Sequence, residues 1–327
     1  MPAGHAFPVE FTLGKCHNLN NQGECRRIRF QLCGGEPMIT TDTAYLGLLG
    51  NPVSHSHSPL MHNTVFDKLG INALYLPFQV SPGQLREAVM GLKALGFRGV
   101  NVTIPFKEAV IPMLDRLSPE AQLYQAVNVI AVEGEQLVGY NTDGPGFIAA
   151  LEEAGVESWE HCLVLGAGGA ARSISLALAQ SGARDMVILD TDAARAVSLA
   201  EHVTGNTAAV TQGRPASREN WAQAAARADL IVNCTPVGMY PQLDSSPAES
   251  MEEVADRAVV CDIVYNPLET KFLAMARQRG LTTVNGLPMF VYQGALTLKI
   301  LLGIDAPVDF MKEVVRRGLE NQGLNPD

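Results

Sequence analysis

The chain has 327 residues, 47% hydrophobic and 18% charged, with 24 Lys plus Arg against 34 Asp plus Glu. That composition excludes a disordered or collagen-like chain, and the length suits two domains of about 100–200 residues each. A net charge of −10 leaves no broad basic face for phosphate backbones, so no nucleic-acid partner is expected. Six Cys without a C-x-x-C pair argue against a disulfide scaffold or a zinc ribbon and for a reducing cytoplasm.

Residues 1–37 are rich in Gly, Asn and Cys and sustain no helix or strand period, so they read as a poorly ordered extension. Cys16, Cys25 and Cys33 lie there without metal-ligand spacing, and residues 1–20 hold no apolar run of the kind a secretory leader needs. Regular patterning then begins. Tyr45–Leu49 reads as a strand, Pro59–Leu69 as a helix, Ala73–Phe78 as a strand and Pro82–Leu95 as a helix. Val100–Ile104 is the next strand, and Lys107–Leu114 is expected to start a helix. Val127–Val132 and Gln136–Tyr140 flank Glu133-Gly134-Glu135 and read as a hairpin, and Phe147–Ala154 is a helix stopped by Gly155.

A second alternating block starts at the Cys162–Leu165 strand. The Ser173–Ser181 helix, the Met186–Leu189 strand and the Ala193–Val203 helix follow. Leu230–Cys234 and Val259–Ile263 are further strands, Glu269–Arg279 a helix and Thr282–Val284 a short strand. Pro288–Leu302 and Val308–Leu319 close the chain as helices. Pro288, Gln293 and Lys299 break the apolar run 286–304, which therefore reads as a buried helix, not a membrane span. Strand–helix alternation of this kind specifies α/β with parallel pairing.

Leu163-Val164-Leu165-Gly166-Ala167-Gly168-Gly169-Ala170-Ala171 is an apolar strand, a glycine turn and a small-residue helix start. Such a turn brings backbone N–H groups to a pyrophosphate at the positive end of a helix. Asp190 ends the following strand, 24 positions beyond Gly166, where a carboxylate can accept both ribose hydroxyls of an adenosine. A carboxylate there repels a 2′-phosphate. Since Asp190 and Asp192 precede Arg195, charge favours NAD over NADP, and Arg195 reads more simply as a helix-surface residue.

Three further segments carry polar groups at strand ends. Asn101 and Thr103 share one strand face, and Lys107 follows just past Pro105. A Lys at a helix N-terminus opposes the helix dipole, which suggests either chemistry beside a carboxylate or pairing with Glu108 or Asp115. Asp143, in Asn141-Thr142-Asp143-Gly144, could cap the next helix or be the carboxylate that tunes Lys107, and sequence distance does not decide. Ser56 and Ser58 sit on the loop after the first strand and suit a small polyol or carboxylate, with Ser58-Pro59 expected as an N-cap. His55, His57 and His62 lack an acidic partner nearby, so no metal is assigned to them.

Together these segments resemble the shikimate dehydrogenase family. The shared motifs are Ser56-His57-Ser58, Asn101-Val102-Thr103-Ile104-Pro105-Phe106-Lys107, Ala126-Val127-Asn128, Asn141 to Gly144, Gly166 to Ala170, and Asn285-Gly286-Leu287-Pro288-Met289 leading to Gln293. They occur in family order over about 43–320. The resemblance implies reversible, nicotinamide-dependent reduction of 3-dehydroshikimate to shikimate on the route to chorismate and the aromatic amino acids. It implies Lys107 as the catalytic lysine and Asp143 as its partner. Ser56, Ser58, Thr103, Asn128, Asp143, Tyr265 and Gln293 are implied to hold the substrate. Gly166, Ala167, Gly168, Gly169 and Ala170 are implied to hold the pyrophosphate, with Ile263 and Gly286 near the nicotinamide. The implied fold is a substrate domain over 38–142 and 289–327, and a Rossmann-like domain over 143–288. A homodimer is one option the sequence leaves open.

Two departures stand out. The family usually binds NADP through Asn-Arg-Thr after the second strand, where this chain has Asp190-Thr191-Asp192, a pattern similar to NAD-using quinate/shikimate dehydrogenases. His57 stands where Lys or Arg is more common, which weakens anion attraction at neutral pH. The rival readings are a quinate dehydrogenase, a non-catalytic relative that senses cofactor or polyol, and a tetrahydrofolate-linked dehydrogenase.

Overall fold

The computed structural model describes residues 39–324. The expected extension over 1–37, with its three cysteines, lies outside them. The described elements run β1 (Ala44–Gly50), α1 (Ser58–Leu69), β2 (Ala73–Gln79), α2 (Leu85–Ala94), β3 (Phe97–Val102), β4 (Arg116–Leu117) and α3 (Pro119–Tyr124). Then come β5 (Val129–Glu133), β6 (Gln136–Tyr140), α4 (Asp143–Glu153), β7 (His161–Leu165), α5 (Gly169–Gln180), β8 (Asp185–Asp190) and α6 (Ala193–Asn206). The chain continues with β9 (Val210–Pro215), α7 (Arg218–Ala225), β10 (Leu230–Asn233), β11 (Val259–Asp262), α8 (Lys271–Gln278), β12 (Thr282–Val284), α9 (Leu287–Leu302) and α10 (Val308–Leu324).

Two six-stranded sheets result. The first has the order β2-β1-β3-β5-β6-β4, with β1 parallel to β2 and β3, while β5 runs antiparallel to β3 and β6. The antiparallel pair is the expected hairpin, and its turn places Gly134 at φ +59°, a left-handed conformation that Gly adopts at little cost. The second sheet is wholly parallel, in the order β12-β11-β10-β7-β8-β9. Its order reverses between β10 and β7, the switch point where ligands of such sheets bind.

Apolar faces follow the strand and helix periods. The first sheet buries Val100, Val102 and Ile130 with Val89 and Leu92 of α2 on one side. On the other, Leu46 and Leu48 meet Met61, Val65 and Phe66 of α1 and Leu298 and Met311 of the last two helices. The second sheet is covered by α4, α5 and α6 on one face and by α7 and α8 on the other. Helices α4 and α9 approach closely at Gly146, where a Cβ would fall 2.8 Å from the Gln293 nitrogen. Helix α9 is thus the buried helix its broken apolar run predicts, and no helix among the described residues is long and apolar enough to cross a membrane.

The structure corrects several expectations. No α-helix starts at Lys107: residues 107–110 form a turn, followed by a single 3-10 turn over Ile111–Met113. Lys107 therefore opposes no helix dipole. Ser58 is the first residue of α1, with His57 in the N-cap position and no capping side chain. The strand at Val100 ends at Val102, two residues early, because the chain turns at Thr103, whose carbonyl accepts from Phe106 N. Sequence reading passed over β4, α3, β9 and α7, which are short or weakly apolar.

Candidate active site

The carboxyl ends of β1, β3, β7, β8, β10 and β11 open onto one cleft of about 1490 Å³. Each end is followed by a loop with the right chemistry for its place. After β1, Ser56 Oγ accepts from Ser58 N at 3.2 Å and its hydroxyl lies 3.2 Å from Ser58 Oγ, so the two hydroxyls form one polar unit. After β3, the Lys107 carbonyl accepts from Val127 N at 2.8 Å and Phe106 is buried beneath, which fixes where the Lys107 side chain starts.

Lys107 Nζ donates to Asp143 Oδ2 at 2.5 Å, and only 15% and 6% of the two side chains are exposed. The alternative partners for Lys107 are employed elsewhere: Asp115 Oδ2 accepts from Leu137 N, and Glu108 faces Arg195. Asp143 does not cap α4. The Asn141 carboxamide oxygen accepts from Asp143 N at 3.0 Å instead, which leaves the Asp143 carboxylate for Lys107 and for Asn128 Nδ2 at 2.9 Å. Asn128 is fully engaged: its other amide hydrogen goes to Thr142 Oγ1 and its carbonyl accepts from Thr142 N. A carboxylate held by two donors in this way keeps one orientation.

A second network, unread in the sequence, lies below. Tyr75 is wholly buried and its hydroxyl donates to Asn101 Oδ1 at 2.8 Å. Asn101 Nδ2 donates to the Asn128 backbone carbonyl and to Thr297 Oγ1, tying β3, the residue before β5 and α9 together. Asn101 shares a face with Thr103 in the sequence, and that alternation was the available signal. Tyr75 gave none, because an aromatic in a strand reads as core.

Tyr265 Oη accepts from His57 N at 3.2 Å and its ring stacks on Phe290 with centroids 3.9 Å apart. Burial raises the Tyr265 hydroxyl above the usual phenol range. Gln293 lines the same end of the cleft, with Nε2 donating to the Phe290 carbonyl. The His57 ring does not line the cleft. It packs by Gly318, and burial lowers its pKa, so it carries no charge at neutral pH. His62 is stacked on Tyr75 and wholly buried, and desolvation lowers its pKa to about 3. Among the described residues no cluster of His, Cys, Asp or Glu could hold a metal.

The dinucleotide side is built from backbone. Gly166 has φ +99°, and Gly168 is the N-cap of α5 with no side chain capping it, so the first N–H groups of the helix face the cleft. A Cβ at Gly169 would fall 2.8 Å from Lys107 Cβ, so this turn and the Lys107 loop touch. Asp190 Oδ2 accepts from Ala167 N at 2.7 Å and Oδ1 from Asp192 N at 2.8 Å, which locks the carboxylate at the end of β8. Arg195 is exposed, as a surface residue would be, yet its guanidinium turns back to the Ala167 carbonyl at 3.2 Å and to Glu108 at 3.5 Å. Ile263 lines the cleft. Gly286 alone among the expected site residues does not, and lies behind Ile263, whose carbonyl a Cβ at 286 would approach to 2.3 Å. A glycine turn without side-chain caps, next to a fixed carboxylate, fits the pyrophosphate and ribose of a dinucleotide.

Comparison with known proteins gives the family. A family model for the shikimate dehydrogenase substrate binding domain matches residues 48–130, and one for the shikimate 5'-dehydrogenase C-terminal domain matches 286–316. The chain is 47% identical over 285 residues to a shikimate dehydrogenase (NADP(+)) of Syntrophomonas wolfei, covering 87% of this chain and 98% of that one. Among solved structures it is similar to shikimate 5-dehydrogenase from Listeria monocytogenes in complex with shikimate and NAD (35% identity, TM-score 0.78, 85% of this chain and 98% of that chain). It is also similar to quinate dehydrogenase from Corynebacterium glutamicum in complex with NAD (29% identity, TM-score 0.76, 84% and 99%). With two α/β sheets facing one cleft, a paired lysine and aspartate on one side and a glycine turn on the other, the chain belongs to the shikimate dehydrogenase family.

Proposed function

We propose that this chain catalyses the reversible reduction of 3-dehydroshikimate to shikimate and that it uses NAD in preference to NADP. The observation that carries the reaction is the Lys107–Asp143 pair at 2.5 Å, in the same cleft as the glycine turn. A dinucleotide bound at Gly166 to Ala170 would supply or take a hydride at its nicotinamide. The rest falls to side chains of the chain. Lys107 Nζ carries three donors and gives one to Asp143, leaving others to polarise the substrate ketone and protonate its oxygen during reduction. Asp143 holds Lys107 and orients a neighbouring substrate hydroxyl. Ser56, Ser58, Tyr265 and Gln293 cluster at the far end, where hydroxyls and a carboxamide suit the substrate's carboxylate and ring hydroxyls. Thr103 and Asn128 complete the wall, although Asn128 already spends both amide hydrogens on Thr142 and Asp143. Holding donor and acceptor in line removes much of the entropic barrier to hydride transfer.

The cofactor preference rests on Asp190. Its carboxylate is fixed by two backbone N–H groups beside the expected ribose position, and Asp192 follows it as the cap of α6. A 2′-phosphate would meet both negative charges, while the Arg195 guanidinium is directed to Ala167 and Glu108. The test is steady-state oxidation of shikimate and of quinate with NAD or NADP, followed by absorbance of the reduced nicotinamide. Higher kcat/KM for shikimate with NAD is expected. Faster turnover of quinate would reassign the substrate, faster turnover with NADP would reverse the cofactor reading, and silence with every pair would refute enzymatic function.

A further inference from the structure

We propose that Asp262 is a positioning residue for the hydride transfer: its carboxylate ties the ends of β10 and β11 together and so holds the cleft-lining loops 234–237 and 263–266 in one mutual geometry. The proposal rests on the reaction assigned above. Asn233 and Asp262 are the last residues of their strands and face each other in register. Both are buried, with Asp262 2% and Asn233 0% exposed.

Asp262 Oδ1 accepts from Asn233 Nδ2 at 3.0 Å and from Val264 N at 3.0 Å, and Oδ2 accepts from Thr270 Oγ1 at 2.7 Å. Asn233 Nδ2 and Val264 N can only donate, and the Thr270 hydroxyl is placed to donate as well, so the arrangement suits an ionised carboxylate. The consequence runs in two directions. On β10, Asn233 gives its second amide hydrogen to the Val237 carbonyl, so its oxygen must face Thr235, accepting from Thr235 N at 3.0 Å and Thr235 Oγ1 at 2.6 Å. Thr235 and Val237 line the cleft beside the glycine turn, where a Cβ at Gly166 would touch the Thr235 methyl. On β11, the bond to Val264 N sets Ile263, expected near the nicotinamide, and Tyr265, expected at the substrate; both line the cleft, and Tyr265 reaches His57. One carboxylate therefore fixes both walls between which a hydride would cross.

Cohesion alone does not account for a buried acid here, since an apolar pair at two strand ends would avoid its desolvation cost. That cost shows in the titration: burial raises the Asp262 carboxyl to about 6 despite its three donors. The neighbouring ionisable groups are Cys234, Cys261 and Tyr265, all raised by burial and neutral at these pH values. Lys271 of α8 turns outward to the Asp244 carbonyl. Asp262 thus titrates as the acid of this cluster. Because its folded pKa lies above the unfolded value, the folded state binds the proton more tightly, and this group favours folding more as pH falls from about 6 towards 4. A proton on Oδ2 would compete with the bond from Thr270 and weaken the acceptor strength of Oδ1, so the ordering of the two loops is expected to loosen over that same interval. Stability from this group and catalysis therefore move in opposite directions, which a purely structural acid would not produce.

The experiment is the pH dependence of kcat for shikimate oxidation between pH 5 and 8, with the full chain and saturating NAD. The wild type is expected to show an acid limb near 6. Thr270→Val, which removes one donor, should move that limb upward, and Thr270→Ser should restore it. Asp262→Asn should lower kcat on the order of tenfold with little change in KM for shikimate, and should flatten the limb. An acid limb that Thr270→Val leaves in place, or wild-type kcat in Asp262→Asn, overturns the proposal. If Asp262→Asn does not fold, the two Thr270 variants decide. No turnover of shikimate by the wild type would overturn the assigned reaction as well, whereas turnover with an unmoved limb overturns the role of Asp262 alone.

Discussion

The two sheets present their carboxyl edges to the cleft in different materials. The first offers side chains: Ser56, Ser58, Lys107, Asn128 and Asp143, each oriented by another polar side chain, with Thr103 beside them. The second offers mainly backbone, a glycine turn with one fixed carboxylate. The difference follows from the ligands. A polyol is recognised by many directed donors and acceptors, so its site needs a preorganised side-chain lattice. A pyrophosphate is recognised by N–H groups at a helix end, so its site needs side chains to be absent. The two halves should therefore fail differently when altered.

The largest expected effect is on the side-chain half. Lys107→Ala removes the proton donor and should reduce kcat by about 10²–10⁴-fold, the range for loss of a positioned acid. NAD affinity, measured by quenching of protein fluorescence, should change little. Near-normal kcat would show that the proton comes from elsewhere.

The backbone half should fail by crowding. Gly286→Ala would put a Cβ 2.3 Å from the Ile263 carbonyl, and that neighbour is backbone, which cannot swing aside. A loss of about 1–3 kcal/mol of stability is expected in urea denaturation, with weaker NAD binding. An unchanged midpoint would mean that the β11 loop yields freely, and would count against the rigid geometry argued for Asp262.

Below the first site, His62 gives a pH signature. Its ring is wholly buried and its pKa is lowered to about 3, so the unfolded chain takes up a proton near its ordinary 6.5 that the folded chain refuses. The His62 contribution to stability should therefore fall by about 1.4 kcal/mol per pH unit as pH drops below 6.5 towards 3. His62→Phe should flatten that slope. An equal slope in both proteins would locate the acid sensitivity elsewhere.

These contrasts also explain what the sequence made legible. Asn101, Thr103, Lys107 and Asp143 stood out because polar residues are costly at apolar strand ends, and Gly166 to Ala170 stood out by context, with a strand before, a helix after and Asp190 ending the next strand. Spacing alone did not give the partner of Lys107, which only the family resemblance named as Asp143, since the choice among Glu108, Asp115 and Asp143 depends on how β3 packs against the start of α4. The Asn233–Asp262 pair was missed for a related reason: 29 residues separate them, and only strand register makes them neighbours. The helix expected at Lys107 failed because Phe106 and Val110 bury themselves in a single turn whose Lys107 carbonyl is taken by Val127 N, an outside partner.

The smallest expected effect lies where the two halves touch. Arg195, beside the glycine turn, meets Glu108, the residue after Lys107, at 3.5 Å, and both side chains are about half exposed (51% and 44%). An exposed pair of this length contributes about 0–1 kcal/mol, and less in salt. Glu108→Gln should therefore leave thermal stability and kcat with NAD almost unchanged. It should nevertheless release the Arg195 guanidinium from its carboxylate while keeping the bond to the Ala167 carbonyl. Use of NADP should then rise a few-fold, by no more than the pair was worth, because Asp190 stays in place. A larger rise would mean that Glu108, not Asp190, is the main obstacle to a 2′-phosphate, and that cofactor choice is made across the cleft instead of within the second sheet.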